Sequence, residues 1–314
     1  MKYYIGIDLG GTFIKGGIVN ENGEILICDK VPTEVEKGDK GVAANIVRLA
    51  SDLLKRQGLT TDEVEGLGIG SPGMIDSAEG NVVYANNLGW ANFRICDEIS
   101  KNLGGIAVKI GNDANVAALG EVKFGAARNY NSAVMITLGT GVGGGIVIDG
   151  KLVEGNMGAG AELGHIVISV GGEQCSCGRR GCFEAYSSAT ALIRDTRRAM
   201  EAHPDSKMWE VGSLEAVDGK TAFDYAPVDE YAKAVIDHYI EYLACGLVNY
   251  ANVFRPEVIL LGGGVCAQGD NLIKPLQKLV DRDIYAGDKG PGVPILVAQL
   301  ANNAGLLGAA ALLM

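Results

Sequence analysis

Short apolar runs that end in glycine alternate with longer segments of helical periodicity along this sequence. The first run covers residues 3–8, resumes at 13–19 after a glycine-rich loop, and turns at Asn22-Gly23 into residues 24–31. Asn-Gly between two apolar runs is a strong hairpin signal, because both residues tolerate a positive φ. The N-terminal pattern therefore predicts a three-stranded antiparallel meander.

The same pattern returns near the middle of the chain. Residues 134–148 form two apolar runs around a second glycine-rich loop, and Asp149-Gly150 supplies the following turn. With a one-residue gap, residues 8–10 align with 137–139. The repeat predicts an internal duplication of a whole domain, while a chance repeat of short strands is the alternative.

Helical periodicity fills the intervals, and it predicts helices over residues 41–57, 91–103, 114–124, 185–202, 228–254 and 271–284. Short apolar runs predict buried strands over residues 64–69, 106–110, 258–261 and 294–297. Strands that alternate with helices indicate an α/β fold in two halves. We expect a small N-terminal α/β domain at 1–115, a larger one at 116–301, and a final helix, 302–314, that packs back on the small domain.

Composition agrees with two domains in a reducing compartment. A chain of 314 residues that is 47% hydrophobic exceeds what one core usually organises. The net charge of −11 disfavours nucleic acid as a partner, and no apolar run has the length of a membrane span or of a secretory signal. Seven cysteines, three of them within eight residues, do not resemble a disulfide framework. We expect a cytoplasmic protein.

Each glycine loop offers backbone N–H groups to phosphate oxygens, because glycine lets the main chain approach a ligand closely. The first contains Asp8, Gly10, Gly11, Thr12 and Lys15, and Asp8 would lie near a hydrated Mg²⁺ ion. The second contains Gly139, Thr140 and Gly141. One such loop alone is equally well a plain tight hairpin with Asp8 as a turn residue. Two facing loops are what a nucleotide cleft between duplicated domains requires.

A dinucleotide-binding enzyme is a rival interpretation, since Gly139-x-Gly141-x-x-Gly144 matches that fingerprint. The fingerprint requires a helix to open inside the motif, whereas residues 146–148 and Asp149-Gly150 indicate a strand and a hairpin turn. A third cluster, Gly262, Gly263 and Gly264, ends a buried strand and could border an adenine or ribose. Taken alone, it is more often a simple turn.

Asn112-Asp113 follows a predicted strand and precedes a predicted helix. Ligands of open α/β sheets usually bind at the carboxyl ends of strands, so Asp113 is a candidate general base for a sugar hydroxyl that attacks the γ-phosphate. Asn112 would position a neighbouring hydroxyl. The alternative is a plain N-cap, and both roles can coexist.

His165, Cys175, Cys177 and Cys182 have the softness and spacing of a tetrahedral zinc site. Four protein ligands close the coordination sphere, so the predicted zinc is structural. It would hold Glu162 and Glu184 in place and turn the second ring nitrogen of His165 toward a sugar hydroxyl. For Glu184 the alternative is an acidic first-turn residue that the helix dipole favours.

These residues resemble the ROK family of bacterial sugar kinases, within the actin/Hsp70/hexokinase-like (ribonuclease H-like) fold. The family signature is met from Glu162-Leu163-Gly164-His165 through Cys175-Ser176-Cys177-Gly178 to Cys182-Phe183-Glu184. One departure is that Gly160-Ala161-Glu162 replaces the usual Ala-Gly-Glu. The resemblance implies that both loops bind ATP phosphates, that the 262–264 cluster borders the adenosine, that Asp113 is the catalytic base, and that the sugar contacts are Gly73, Asn87, Asn112, Asp113, Glu162, His165 and Glu184.

The sequence context most resembles the glucokinases of the family, which implies ATP-dependent phosphorylation of the 6-hydroxyl of glucose, with Mg²⁺ and a homodimer. Kinases for N-acetylmannosamine, N-acetylglucosamine or fructose share the same framework, and the motifs do not distinguish these sugars. A repressor of this family would carry an added helix-turn-helix, for which a strand that begins at residue 3 leaves no room. A non-catalytic sugar sensor is opposed by Asp113 and both loops.

Overall fold

The computed structural model describes residues 1–314 except for the side chain of Asp288. The chain forms two compact units. The first contains Met1–Ser132, Gly145–Ala161 and Gln299–Met314, and the second contains Ala133–Gly144 and Glu162–Ala298. The domain limits predicted from the sequence, 1–115 and 116–301, differ from the bounds of these two units and remain a proposal.

The first sheet contains five strands in the order β3-β2-β1-β4-β8. These are β1 (Tyr3–Leu9), β2 (Phe13–Asn20), β3 (Ile25–Pro32), β4 (Leu67–Ser71) and β8 (Val108–Asn112). The first three form an antiparallel meander, and the β1–β4 and β4–β8 pairs are parallel. Buried strands with parallel neighbours explain the nearly continuous apolar runs at β1 and β4.

The helices of the first unit are α1 (Gly38–Gln57), α2 (Ile95–Asn102), α3 (Asp113–Phe124) and α9 (Ala304–Ala311). The last of them packs closely on β1, β4 and α3. At Gly68 an added Cβ would collide with the carbonyl oxygen of Ala309, and at Gly308 with that of Val116. Small residues on both sides therefore allow the backbone of α9 to approach its neighbours.

A three-stranded antiparallel sheet, which sequence periodicity did not predict, lies between β4 and α2 along the chain. Its strands are β5 (Met74–Asp76), β6 (Asn81–Ala85) and β7 (Trp90–Phe93). The helix predicted from residue 91 is wrong at its start, because Asn92 has a φ of 52°. That left-handed conformation cannot continue into a helix, so α2 begins at Ile95.

The second sheet repeats the strand order of the first as β11-β10-β9-β12-β13, which agrees with a duplication. Its strands are β9 (Ala133–Leu138), β10 (Val142–Ile148), β11 (Lys151–Leu152), β12 (Val258–Gly262) and β13 (Ile295–Val297). The β9–β12 and β12–β13 pairs are parallel, as are the equivalent pairs of the first sheet. The glycine loops therefore occupy equivalent positions, after β1 and after β9.

The remaining helices are α4 (Glu184–Ser187), α5 (Ala189–Ala202), α6 (Thr221–Tyr225), α7 (Glu230–Phe254) and α8 (Asp270–Asp283). The single helix predicted over 185–202 is two helices, because Ser188 is extended and its hydroxyl accepts a hydrogen bond from the N–H of Ala191. In the part of the chain that the structure describes, no helix is both long and apolar enough for a membrane span.

The buried carboxylate of Glu121 joins α3 to the segment before α9. Its Oε1 accepts from the N–H of Leu300 at 2.7 Å, and its Oε2 accepts from the N–H of Ala126 at 2.8 Å. Two backbone N–H groups thus depend on one buried side chain.

Replacing Glu121 by Gln should lower the free energy of unfolding by about 2–3 kcal/mol, because an amide nitrogen would face one of these donors. Urea denaturation followed by circular dichroism measures the change. The exposed Glu36→Gln variant is the matched control and should stay within about 0.5 kcal/mol of the parent protein. Equal stability of the two variants would refute this role of Glu121.

Candidate active site

Asn112 and Asp113 lie where β8 passes into α3. The Oδ1 atom of Asn112 accepts from the N–H groups of Ala114 at 3.0 Å and Asn115 at 3.3 Å, so Asn112 is the N-cap. Its Nδ2 donates to the carbonyl of Gly73 at 3.1 Å. Oδ1 of Asp113 accepts from the N–H of Ala114 at 2.8 Å, which fixes this carboxylate at the first residue of the helix.

Two carboxylates and one cation define the electrostatics of this part of the first unit. The side chain of Asp113 reaches solvent, but partial desolvation by the surrounding protein raises its pKa, and its hydrogen bonds oppose this only in part. Burial and then the charge of Asp113 raise the pKa of Asp8, whereas Lys15 lowers it. Neighbouring carboxylates, one of which raises the pKa of the other, are a suitable donor set for a hard divalent cation such as Mg²⁺.

Lys15 is held by the segment before α9. Its Nζ donates to the carbonyl oxygen of Asn302 at 2.8 Å and to Oδ1 of Asn303 at 2.6 Å. The predicted contact of Lys15 with a phosphate therefore stays a prediction, since the ammonium group has two protein partners in this conformation.

Thr33 holds the first glycine loop in place through two hydrogen bonds. The hydroxyl of Thr33 donates to the carbonyl of Gly10 at 2.7 Å, and its N–H donates to the carbonyl of Thr12 at 2.9 Å. The N–H of Gly10 bonds to the carbonyl of Phe13 at 3.0 Å. Among the residues described, the N–H groups of Gly11 and Thr12 have no protein partner. Two adjacent free donors in a fixed loop can bind an anion.

The second glycine loop has an equivalent arrangement. The N–H of Gly139 bonds to the carbonyl of Gly141 at 3.0 Å. The N–H of Ala189 and the hydroxyl of Thr190 hold the carbonyls of Gly139 at 2.8 Å and Thr140 at 2.7 Å. Across the described chain, the N–H groups of Thr140 and Gly141 bond to no protein acceptor. Both loops therefore leave a pair of neighbouring N–H groups free.

A cavity of about 270 Å³ adjoins the second loop within the second unit. Gly263, with a φ of 93°, passes so close to the carbonyl of Leu138 that a Cβ would collide with it. The lining is mostly apolar and consists of Leu138, Gly139, Thr140, Ala189, Asp218, Gly219, Lys220, Gly264 and Val265. Of the predicted adenosine cluster, Gly264 lines this cavity, and the stretch Asp218–Lys220 is a part that sequence motifs did not indicate.

The four predicted metal ligands of the second unit lie together. One ligand atom from each of His165, Cys175, Cys177 and Cys182 lies within 4.8 Å of all the others. Sγ of Cys177 is 3.7 Å from Sγ of Cys182, and Nδ1 of His165 is 3.6 Å from Sγ of Cys175. A tetrahedral zinc ion about 2.3 Å from sulfur and 2.1 Å from nitrogen gives edges of about 3.8 and 3.6 Å. The donor set therefore fits zinc.

Charge also favours a cation at this cluster. Desolvation, together with the neighbouring sulfurs, raises the pKa of Cys182 to about 12, while the N–H of Arg179 lowers the pKa of Cys177. Three thiolates at this separation require a compensating positive charge, which a divalent ion supplies. Because Nδ1 of His165 faces Cys175, its Nε2 remains available for a ligand.

Glu184 lies between the cysteine cluster and the second glycine loop. Its Oε1 accepts from the hydroxyl of Ser176 at 2.8 Å, and its Oε2 accepts from the N–H of Val142 at 2.9 Å. The side chain of Glu162 is exposed, and the backbone carbonyl of Glu162 accepts a hydrogen bond from the N–H of His165 at 3.0 Å. Ser176 and Val142 lie within the sequence motifs, but the sequence assigned neither of them a role.

The predicted sugar contacts divide between the units. Gly73, Asn87, Asn112 and Asp113 belong to the first, and Glu162, His165 and Glu184 belong to the second. Gly73 has a φ of 106°, and Asn87 is exposed in the short 3₁₀ turn Asn86–Leu88. The structure brings Gly73 to Asn112 through the hydrogen bond described above.

The departure from the family pattern at Ala161 has a backbone consequence. Ala161 has a φ of 61°, in the left-handed region where glycine is favoured and other residues are strained by roughly 1 kcal/mol. The Ala161→Gly variant should therefore be more stable by up to about 1 kcal/mol, measured as a shift of the urea midpoint. Glycine at Ala159, whose φ is −90°, should instead destabilise the protein. A lower midpoint for Ala161→Gly would contradict this expectation.

Two sheets of equal strand order, each with a glycine loop after its first strand, define the actin/Hsp70/hexokinase class of fold. A family model described as ROK matches residues 4–314. The chain belongs to the ROK family.

Individual relatives agree over nearly the whole chain. The glucokinase of Thermotoga maritima is 39% identical over 312 residues, which cover 98% of this chain and 96% of that protein. The glucokinase of Halalkalibacterium halodurans is 36% identical over 98% of this chain and 93% of its own length. A ROK glucokinase from Streptomyces griseus, solved in complex with glucose and AMPPNP, is 35% identical with a TM-score of 0.76, and covers 99% of this chain and 98% of that one.

Proposed function

We propose that this protein is an ATP-dependent hexose kinase that phosphorylates the 6-hydroxyl of glucose. The observation that carries the proposal is the accessible carboxylate of Asp113, which is fixed at the N-terminus of α3 and has a raised pKa. Full-length similarity to proteins named glucokinase supports glucose as the sugar.

Asp113 acts as the general base in this proposal. The oxygen of the 6-hydroxyl forms a bond to the γ-phosphorus while the bond from that phosphorus to the bridging oxygen breaks, and Asp113 accepts the hydroxyl proton. A carboxylate with a raised pKa, once ionised, accepts a proton more readily than an ordinary aspartate. ADP leaves as the second product.

The sugar is bound by the other polar residues of the signature. Glu162 and Glu184 accept hydrogen bonds from sugar hydroxyls, and Nε2 of His165 bonds to a further hydroxyl, while Asn112, Gly73 and Asn87 complete the set. Zinc at His165, Cys175, Cys177 and Cys182 is structural: when bound, it fixes the ring of His165 and the neighbouring backbone.

The phosphoryl donor is ATP with Mg²⁺. The free N–H groups of Gly11, Thr12, Thr140 and Gly141 are the donors that we assign to its phosphates, and the cavity beside Gly264 has the apolar character that an adenosine requires. The complex of the Streptomyces griseus relative with AMPPNP, a nonhydrolysable ATP analogue, supports this assignment. Asp8 with Asp113 is suited to hold Mg²⁺ or its water shell. A cytoplasmic location, expected from the cysteines, and a homodimer, expected from the family, belong to the proposal.

A panel of sugars tests the proposal. ADP release in a coupled assay should be fastest with glucose and slower with N-acetylmannosamine, N-acetylglucosamine and fructose. If ADP release is fastest with one of these other sugars, the protein is still a sugar kinase, but glucose is not its preferred substrate. Absence of release with every hexose and amino sugar would refute the kinase itself.

A further inference from the structure

The carboxylate of Glu184 contacts two segments that belong to different parts of the proposed chemistry. Oε1 accepts from the hydroxyl of Ser176, and Oε2 accepts from the N–H of Val142. The second contact is close: a Cβ at Gly141 would lie 2.5 Å from Oε2. Gly141, whose φ is not left-handed, thus leaves room for the carboxylate, and a larger residue there would push Glu184 away from Val142.

The position of the Ser176 hydroxyl depends on the cysteine cluster. Ser176 is the residue between Cys175 and Cys177, and the N–H of Gly178 closes a turn onto the carbonyl of Cys175 at 3.1 Å. Because Ser176 has one metal ligand on each side, its backbone has little freedom once the metal is bound. The knuckle thus presents this hydroxyl to Glu184 in a fixed direction.

At the other end, Glu184 completes the fixing of one peptide group in the second glycine loop. The carbonyl of Gly141 accepts from the N–H of Gly139, and the N–H of Val142, in the same peptide plane, donates to Glu184. A peptide held at both ends cannot rotate. The N–H of Gly141, on the neighbouring peptide plane, is one of the pair assigned to the nucleotide phosphates.

We propose that Ser176 is a positioning residue that, through Glu184, sets the geometry of the phosphate-binding loop and thereby links the affinities for sugar and nucleotide. The inference rests on the proposed function of Glu184 as a sugar contact. Oε1 also has the thiol of Cys175 at 3.6 Å, whereas Oε2, among the described residues, bonds only to the N–H of Val142, so Glu184 can accept a sugar hydroxyl at Oε2 while it holds its protein partners. Linkage is reciprocal: glucose should tighten nucleotide binding by the same factor by which nucleotide tightens glucose binding.

Calorimetric titration of zinc-loaded protein with AMPPNP tests the inference, with the variants Ser176→Ala and Ser176→Thr. Ser176→Ala should bind AMPPNP roughly five- to tenfold more weakly, as expected for the loss of a hydrogen bond to a charged group. In this variant, glucose should no longer increase the affinity for AMPPNP. Ser176→Thr keeps the hydroxyl and should restore both properties. Metal analysis should find the same zinc content in all three proteins.

A second variant approaches the same contact from the loop. Gly141→Ala places a methyl group against the carboxylate of Glu184, so it should weaken AMPPNP binding by a similar factor. When it is combined with Ser176→Ala, the affinity for AMPPNP should fall little further, because both changes release the same peptide group between Gly141 and Val142.

Unchanged AMPPNP affinity in Ser176→Ala, or full additivity in the double variant, would overturn the inference. A loss of zinc in Ser176→Ala that accounts for the weaker binding would overturn it as well. These titrations measure binding without turnover. A protein that phosphorylates no sugar would therefore refute the proposed function, while the AMPPNP titration would still decide the role of Ser176.

Discussion

The Asp113→Asn variant is expected to lose roughly 10²- to 10⁴-fold in kcat, while its affinity for glucose changes by less than about threefold. Asparagine has nearly the same shape and can still accept the hydrogen bond from the N–H of Ala114, so the start of α3 should stay intact. It cannot accept the proton of the 6-hydroxyl. Steady-state kinetics gives kcat, and calorimetric titration with glucose gives the affinity.

The raised pKa of Asp113 adds a dependence on pH. The base must be ionised, so kcat/KM of the parent protein should fall as the pH drops through a value above the ordinary pKa of aspartate. Stability changes in the opposite sense. A carboxyl group with a raised folded-state pKa favours the folded state below its ordinary pKa and loses this contribution as the pH rises through the folded-state value.

Asp113→Asn should therefore be slightly more stable than the parent protein near neutral pH, and this gain should vanish in acid. Thermal unfolding at several pH values measures it. Asp52→Asn, an exposed residue of α1, is the matched control and should change neither kcat nor the pH dependence. A variant at Asp113 that keeps most of its kcat would exclude this residue as the base. Loss of glucose binding in place of kcat would make it a contact residue only.

In the proposed site, removal of zinc should weaken glucose binding by about tenfold to a hundredfold or more, because the metal would fix His165 and the segment that holds Glu184. Chelation followed by glucose titration measures the loss, and added zinc should restore the affinity. If Ser176 positions Glu184, AMPPNP should also bind more weakly after chelation.

Cys182→Ser tests the same site genetically. Cys182 is fully buried, so the variant should retain little zinc and bind glucose weakly. Cys245→Ser, at an exposed cysteine of α7 outside the cluster, should keep both zinc and affinity. Glucose affinity that survives complete removal of zinc would contradict the structural role of the metal.

The parts of the candidate site that depend on local sequence could be predicted. The cysteine cluster lies within a short segment, and the two glycine loops follow buried strands, so residue type and spacing already determine their geometry. The antiparallel meander of each sheet also follows from the repeat, since duplicated segments fold alike.

Long-range hydrogen bonds could not be predicted in the same way. Nothing in the periodicity shows that Glu184 accepts from Val142, which lies 42 residues away, or that Glu121 accepts from Leu300, which lies 179 residues away. The break at Ser188 was missed because serine also occurs inside helices, and helical periodicity alone does not show that its hydroxyl caps a new helix. The β5–β6–β7 sheet has strands too short for a clear alternation.

Phosphorus NMR of the protein incubated with glucose, ATP and Mg²⁺ follows the proposed phosphoryl transfer itself. We expect the signals of ATP to be replaced by those of ADP and of a phosphate on the 6-position of glucose, and we expect Asp113→Asn to leave the ATP signals unchanged over the same time. ATP that stays intact with the parent protein, or a phosphate that appears as inorganic phosphate or on another hydroxyl, would contradict it.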